Sequence, residues 1–501
     1  MATTETLHSQ QQEVQTQTPD ADEFALLLKQ SFKPRTERAA TEIDNAVKTL
    51  VGQALEDASL IKSDLLDTIE EMIAQLDKKL SAQMNEILHA PEFQQIESAW
   101  RGLKYLVFQS ETDAMLKIRV MNVSKNELYR HLRLYPNAAW DQSPLFKRVY
   151  EEEFGQLGGQ PYGCLIGDYS FSHLPTDVQL LRDLSKIAGA AHAPFFAAAD
   201  STLMGMDSWN ELMNPRDLSK LFDTPEYAAW KSLRDSDDAR YVGLCMPRVL
   251  ARLPYGAKTE PVDEFAFEED TDGHKGEKYA WMNAAYAMAA NINRAFKEYG
   301  WCARIRGVQS GGEVEDLPLH TFPTDDGGVD MKCPTEIAIS DRREAELAKS
   351  GLIPLIHRKN TDRAAFIGAQ SMFKPKAYQN NPEATASSNL SSRLPYMFAC
   401  CRFAHYLKCI VRDKIGSFKE RDDMQVWLQR WIMNYVDGDP AHSSETTKAQ
   451  KPLAAAEVQV EEVEGNPGYY SAKFFLRPHY QLEGLTVSLR LVSKLPSAKA
   501  S

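Results

Sequence analysis

Asp168 and Asp200 each follow a short apolar run of strand length, where open α/β sheets place catalytic acids. Acid–base work at either would need a His or Lys partner, and no local spacing fixes one. An acid at a strand end also caps the next turn by accepting backbone N–H bonds, and that reading outweighs the catalytic one. Cys400, Cys401, His405 and Cys409 fall on one helix, with His405 and Cys409 four apart and Cys401 facing His405. That spacing could share a metal. Phe403, Leu407 and Ile410 make it a core helix instead, where cysteine behaves as a small hydrophobe.

Other motifs fail on one required residue. Glu268, Asp270, Asp272 and Gly273 echo the start of a calcium loop, yet Tyr279 stands where a bidentate Glu must close the coordination sphere. Gly155, Gly158 and Gly159 precede a strand and lack the Gly-Lys-Ser/Thr ending of a phosphate loop. Gly307-Val-Gln-Ser-Gly-Gly312 lacks the spacing of a nucleophile elbow and reads as a tight turn. Arg402, Lys408, Arg412, Lys414, Lys419 and Arg421 form a local basic stretch opposed by Asp413 and Glu420. It is a candidate partner-facing surface, better suited to an acidic protein than to nucleic acid. No catalytic, cofactor or metal site stands out, which suits a structural protein and not an enzyme.

The composition agrees. Of 501 residues, 43% are hydrophobic and 25% charged, enough for two to four globular domains. The net charge of −13 repels polyanions and argues against a dedicated nucleic-acid binder. The first 20 residues carry no basic residue and no apolar core, so no export signal is expected. The most apolar stretch, Ile187 to Ala199, is broken by His192 and Pro194 and is too short to span a bilayer. Seven scattered cysteines are no disulfide framework. A soluble, cytosolic chain is expected.

Stepping along the chain, residues 1–19 read as a disordered tail. An amphipathic helix over 20–34 follows, with Asp20 and Glu23 in capping-box spacing and Phe24, Leu27, Leu28 and Phe32 on one face. Residues 41–110 are helical, and Leu66, Ile69, Ile73, Leu76, Leu80 and Ile87 form a heptad seam, either internal or intermolecular. Residues 111–438 form an α/β body. Tyr162–Gly167, Phe195–Ala199 and Tyr241–Met246 are strands, and between the first two lies a helix with Val178, Leu181, Leu184 and Ile187 on one face. Residues 257–278 read as an exposed acidic loop, and Cys302–Arg306 and Ile353–Ile356 as short strands. Helices are expected near 396–415 and 420–436, then a linker over 439–456. The C-terminal segment 457–493 holds strands at 457–463 and 469–476, then Leu485, Val487, Leu489 and Leu491 alternating with polar residues. Such a unit has too few strands to stand alone and needs a partner.

Ile96-Glu-Ser-Ala-Trp-Arg-Gly-Leu-Lys104, Tyr162-Gly-Cys-Leu-Ile-Gly-Asp-Tyr169 and Pro194-Phe-Phe-Ala-Ala-Ala-Asp200 occur in order. So do Tyr299-Gly-Trp-Cys-Ala-Arg-Ile-Arg-Gly307, Gly368-Ala-Gln-Ser371, Arg393-Leu-Pro-Tyr-Met-Phe398, Arg412-Asp-Lys-Ile-Gly-Ser417 and Trp427-Leu-Gln-Arg-Trp431. From about Leu66 to Val492 the chain thereby resembles the large subunit of the type VI secretion contractile sheath, the TssC/VipB family. The resemblance implies a mixed α/β fold with a helical N-terminal region, a central sheath domain and C-terminal strands that complete an inter-subunit sheet. It implies a non-enzymatic building block of the bacterial cytoplasm, without cofactors, nucleic acid or membrane insertion. The implied partners are a small TssB/VipA-type subunit, copies of itself in a six-start helical sheath, an Hcp tube, a baseplate and a ClpV-type AAA+ unfoldase. Phe24, Leu27, Leu28 and Phe32 sit where the family offers its unfoldase-binding segment. Leu485, Val487, Leu489 and Leu491 correspond to the interlocking strand. The runners-up are a cytosolic α/β enzyme using the strand-end acids and a nucleic-acid scaffold using the basic stretch.

Overall fold

The computed structural model describes residues 65–482 apart from 215–217, 415–420 and 464–469, together with short helical stretches between 38 and 49. Phe24, Leu27, Leu28, Phe32, Lys419, Leu485, Val487, Leu489 and Leu491 lie outside the described residues. The chain divides into two compact units, Met1–Gln95 with Leu253–Tyr279, and Ile96–Arg252 with Ala280–Ser501.

In the first unit the heptad run forms one unbroken helix, α1 (Leu65–Leu88). Pro91 then opens α2 (Pro91–Phe108), using the helix position where its missing N–H costs nothing. The segment 253–279 is irregular, as its sequence predicts, but it is not a free loop. It runs as a strap along α1, where Asp77 accepts from Ala266 N–H (3.4 Å), and Phe267, Tyr279, Met72 and Leu88 are each buried. The Asn85 amide donates to Glu268 O (3.2 Å) and accepts from Asp270 N–H (2.9 Å), pairing with the strap as a backbone peptide would. Ile73, Leu80 and Ile87 of the heptad seam remain about half exposed.

The second unit takes in α2 from Ile96 onward and continues with α3 (Lys125–Arg133), where Ser124 and Glu127 make a reciprocal capping box. A six-stranded sheet follows, built from β1 (Leu165–Phe171), α4 (Pro175–Ala191), β2 (Phe195–Ala199), α5 (Ala228–Arg234), β3 (Val242–Met246), α6 (Ala284–Tyr299), β4 (Glu313–Val314), α7 (Asp341–Lys349), β5 (Leu352–His357) and β6 (Ala364–Phe366). The strand order is β1-β2-β3-β5-β6-β4; the first four run parallel, and β6 pairs antiparallel with both β5 and β4. Alternate residues feed two cores. Phe195, Ala197 and Ala199 join Val178, Leu181, Leu184 and Ile187 on one face, while Phe196 and Cys245 join Ala285, Met288 and Phe398 on the other. Burial on both faces is why β2 and β3 read as unbroken apolar runs.

Two strand boundaries differ from the sequence reading. β1 starts at Leu165 and continues to Phe171, with a register shift between Ile166 and Ser170. Cys302–Arg306 forms no strand; Ile305 is buried, but the backbone leads into the Gly307–Gly312 turn, which bonds Phe366 at both ends (Gly307 N–H to Phe366 O, 2.7 Å; Phe366 N–H to Gly312 O, 2.9 Å). A Cβ on Gly312 would stand 2.4 Å from Phe366 O, so glycine is required by that close approach.

The last part comprises α8 (Leu394–Lys414), α9 (Arg421–Met433), α10 (Glu445–Gln450) and an antiparallel hairpin of β7 (Leu453–Glu462) and β8 (Tyr470–Pro478). The expected linker at 439–456 is therefore partly structured. Ser444 caps α10, Asp437 accepts from Ser443 (2.8 Å), and β7 already begins at Leu453. The polar residues that read as linker are cap and turn residues.

Candidate assembly surface

The structure places the chemistry-bearing residues in structural roles. Asp168 lies inside β1, not beyond it, because the strand continues through its bulge. Burial raises its pKa, outweighing hydrogen bonds from Asn283 (3.4 Å) and Tyr286. Asp200 caps the turn Ser201–Met204, accepting from Thr202 N–H at 3.0 Å and Thr202 Oγ1 at 2.7 Å. His405 is buried, donates from Nε2 to Ala191 O (2.8 Å) and leaves Nδ1 without a hydrogen-bond partner. Burial brings its pKa down to about 4 and pushes the Cys401 thiol up. In the strap, Asp272 accepts from Gly276 N–H (3.1 Å) and Glu277 N–H (2.7 Å), and Glu269 from Tyr255 N–H (2.8 Å). Those carboxylates serve backbone donors. Among the described residues no cluster of three His, Cys, Asp or Glu side chains could hold a metal.

The basic stretch is not one open face. Arg402 lies over Tyr406 and Phe296, Lys408 over Phe154 and Tyr150, and Lys414 over Trp427. Arg412 donates to Phe154 O (3.2 Å), and Arg421 pairs with its neighbour Asp422 (2.8 Å). Four of the six cations are thus engaged with aromatic rings or the backbone that carries them, contacts that hold α8 on the Lys147–Gly155 segment and beside α9.

The hairpin is the feature that stands apart. Its inner face carries Ala456, Val458, Val460, Tyr470, Phe474 and Leu476 against a cluster of Trp301, Phe403, Leu428 and Ile432. The Trp301 and Phe403 rings meet at a tilt of 34° with centroids 4.6 Å apart, and Tyr435 meets both rings edge-on. Burying each large apolar side chain there contributes about 1.5–3 kcal/mol. The outer face is wet: Glu457, Gln459, Ser471, Lys473 and Phe475 are exposed.

The two edges of the hairpin are unequal. At the β7 edge, Leu453 donates to Tyr435 O (3.3 Å) and accepts from Asp437 N–H (2.9 Å). Gln429 Nε2 donates to Ala456 O (3.0 Å), its Oε1 accepts from Val458 N–H (2.8 Å), and Gln425 Oε1 accepts from Val460 N–H (3.1 Å). Among the described residues, Ala472, Phe474 and Leu476 make no such bond along the far edge of β8. The sequence reading did not find the glutamines. Their only signal was the spacing of four beside Leu428 and Ile432, and it acquires meaning once β7 is in place.

Two family models match the chain: the EvpB/VC_A0108 tail sheath N-terminal domain over residues 70–373 and the EvpB/VC_A0108 tail sheath gpW/gp25-like domain over residues 383–495. A curated relative, the type VI secretion system sheath protein TssC1 of Pseudomonas aeruginosa strain PAO1, is 70% identical over 485 residues, 97% of each chain. Solved structures similar to it include a chain of the 6-fold symmetrised anti-feeding prophage baseplate (TM-score 0.36, 12% identity, covering 76% of this chain and 84% of that one). Another is the contracted helical sheath of the same prophage (TM-score 0.32, 10% identity, 62% and 66% covered). Among the described residues no helix is long and apolar enough to cross a membrane.

Proposed function

Because this chain belongs to the EvpB/VC_A0108 tail sheath family, as a large sheath protein of type VI secretion, we propose that it co-assembles with a small sheath subunit into a helical tubule. In this reading the tubule surrounds an Hcp-type tube, stands on a baseplate in the bacterial cytoplasm, and contracts to propel the tube. The chain does no catalysis; the work comes from a metastable extended assembly. The observation that supports a shared-sheet linkage is the hairpin, which leaves one long edge without partners among the described residues. Strand addition satisfies such an edge with main-chain bonds while alternate side chains fill the groove. We assign the donated strand to Leu485, Val487, Leu489 and Leu491.

Co-expression with the small subunit followed by negative-stain microscopy tests the proposal. Long hollow tubules are expected; a stable monodisperse monomer that forms none would overturn it. The unfoldase handle is assigned to Phe24, Leu27, Leu28 and Phe32. Leu27→Asp with Leu28→Asp should leave assembly intact and abolish disassembly by a ClpV-type unfoldase, measured as loss of light scattering. Dismantling at the normal rate would place the handle elsewhere.

A further inference from the structure

We propose that Cys333 is a modification site of this chain: His357 serves as its base, and the sulfur captures hydroperoxides and other small electrophiles. This chemistry is independent of assembly. Two fixed pieces of backbone bring the residues together. His357 closes β5 and pairs with Ala364 of β6. Cys333 follows the strand pair His320–Pro323 and Val329–Lys332, and the next two residues are pinned to the body. Pro334 O accepts from Leu250 N–H (2.8 Å), and Thr335 forms a bridge with Val249. The Cys333 thiol and the His357 ring hydrogen-bond each other. Both residues are half-buried, so neither is sealed in the core.

The neighbours settle where the protons sit. His357 Nε2 lies 2.8 Å from Thr361 O, in the turn that joins β5 to β6. A carbonyl only accepts, so Nε2 carries the hydrogen and Nδ1 of the neutral ring keeps its lone pair. Nδ1 is the nitrogen left to take the thiol proton, on a base oriented by a third group. Thr335 flanks the sulfur, with Oγ1 3.1 Å from Sγ and its backbone N–H directed at the same atom. Burial opposes charge on both groups. The His357 and Thr335 bonds nevertheless hold the Cys333 thiol below its ordinary value, and the Cys333 bond lifts His357 above its own. The charged group acting on each is the other. Proton transfer from Sγ to Nδ1 gives a thiolate beside an imidazolium, and the thiolate is the form of cysteine that attacks.

Among the described residues the other six cysteines lack this arrangement. Burial pushes the thiols of Cys164 and Cys302 up to about 12 and raises those of Cys245, Cys400 and Cys401. Cys409 stands four residues after His405, but that ring gives Nε2 to Ala191 O and its Nδ1 bonds nothing. With hydrogen peroxide the step at Cys333 balances. The thiolate sulfur attacks one peroxide oxygen, and an S–O bond forms as the O–O bond breaks. Sulfur loses two electrons and the peroxide gains them. The departing hydroxide takes the Nδ1 proton of His357 and leaves as water. The products are a sulfenic acid and a neutral imidazole.

Competitive labelling of the full chain, purified with its small subunit, tests this. Limiting iodoacetamide at pH 7, read by peptide mass spectrometry, should modify Cys333 at least about tenfold faster than any other cysteine. Cys333 should also react about threefold faster in the folded chain than in urea, because an ordinary thiol is only a few per cent ionised at this pH. His357→Gln should move the midpoint of the Cys333 pH–rate profile up to about 8.5 or beyond, with labelling of the other cysteines unchanged. Hydrogen peroxide followed by dimedone should place the sulfenic-acid adduct on Cys333. Slower labelling of Cys333 in the folded chain than in urea would overturn the site without recourse to any variant. An unmoved midpoint in His357→Gln would overturn His357 as the base. Dimedone adducts that are absent, or spread evenly over the cysteines, would overturn peroxide capture.

Discussion

In the six-stranded sheet, β2 and β3 are covered on both faces and paired on both sides, and every apolar residue there finds its partner within the chain. The C-terminal hairpin is longer than any strand pair in that sheet, yet it covers one face, wets the other and closes one edge. The contrast separates two uses of β structure in one molecule. A sheet completed internally makes a rigid body; in the proposed assembly, a sheet left one strand short makes a connector whose strength is set by other chains.

The sharpest way to break the comparison is Val487→Arg. In the proposed linkage this puts a charge on the apolar face of the donated strand, which costs several kcal/mol if it stays unpaired. Polymerisation should fail completely while circular dichroism of the soluble subunit stays unchanged; normal tubules under the microscope would show that this strand links nothing.

Phe403→Ala acts on the anchor beneath the hairpin. Phe403 is fully buried and touches the rings of Trp301, Tyr435 and Trp431, so truncation should cost about 3–5 kcal/mol. Limited proteolysis should then cut within 439–482 while the six-stranded sheet resists. Uniform unfolding would mean that the two sheets share one cooperative unit.

A smaller effect reads the body alone. Folding lowers the pKa of His405 to about 4 from an ordinary 6.5, so the unfolded chain takes up a proton first as pH falls. The stability from burying neutral His405 is full above about pH 6.5 and is lost as pH falls toward 4, about 3 kcal/mol in all. In urea titrations, His405→Gln should flatten that part of the pH profile, since glutamine can still donate to Ala191 O. An unchanged slope would assign the acid sensitivity to other groups.

The smallest effect is expected from Asp168→Asn. Asp168 already resists ionisation through burial, so neutralising it should shift stability by no more than about 1 kcal/mol and leave tubules intact. Enzymatic turnover that vanished with this change would restore the enzyme reading.

What the sequence made legible follows from where each signal resides. Strict periodicity located α4 and its inward face of Val178, Leu181, Leu184 and Ile187, and continuous apolar runs located β2 and β3. The same logic misjudged Cys302–Arg306, where an apolar pattern packs into the core on irregular backbone. It placed Asp168 after a strand because nothing local announces a bulge. The strap at 253–279 looked free because its acids answer backbone donors and its register is set by Asn85, a residue far away in sequence. Gln425 and Gln429 were silent for the same reason: an amide's role depends on which edge it meets.

The Asn85 contact also has a consequence for synthesis. It joins α1 to residues 183 and 185 positions downstream. A ribosome adds about 5–20 residues per second, so roughly 10–40 s separate the emergence of Asn85 from that of its partners. During that interval the Asn85 amide and the Asp77 carboxylate have no strap to bond. The helix is made early and finished late: the segment that pairs with it is translated only after the first three strands of the body's sheet.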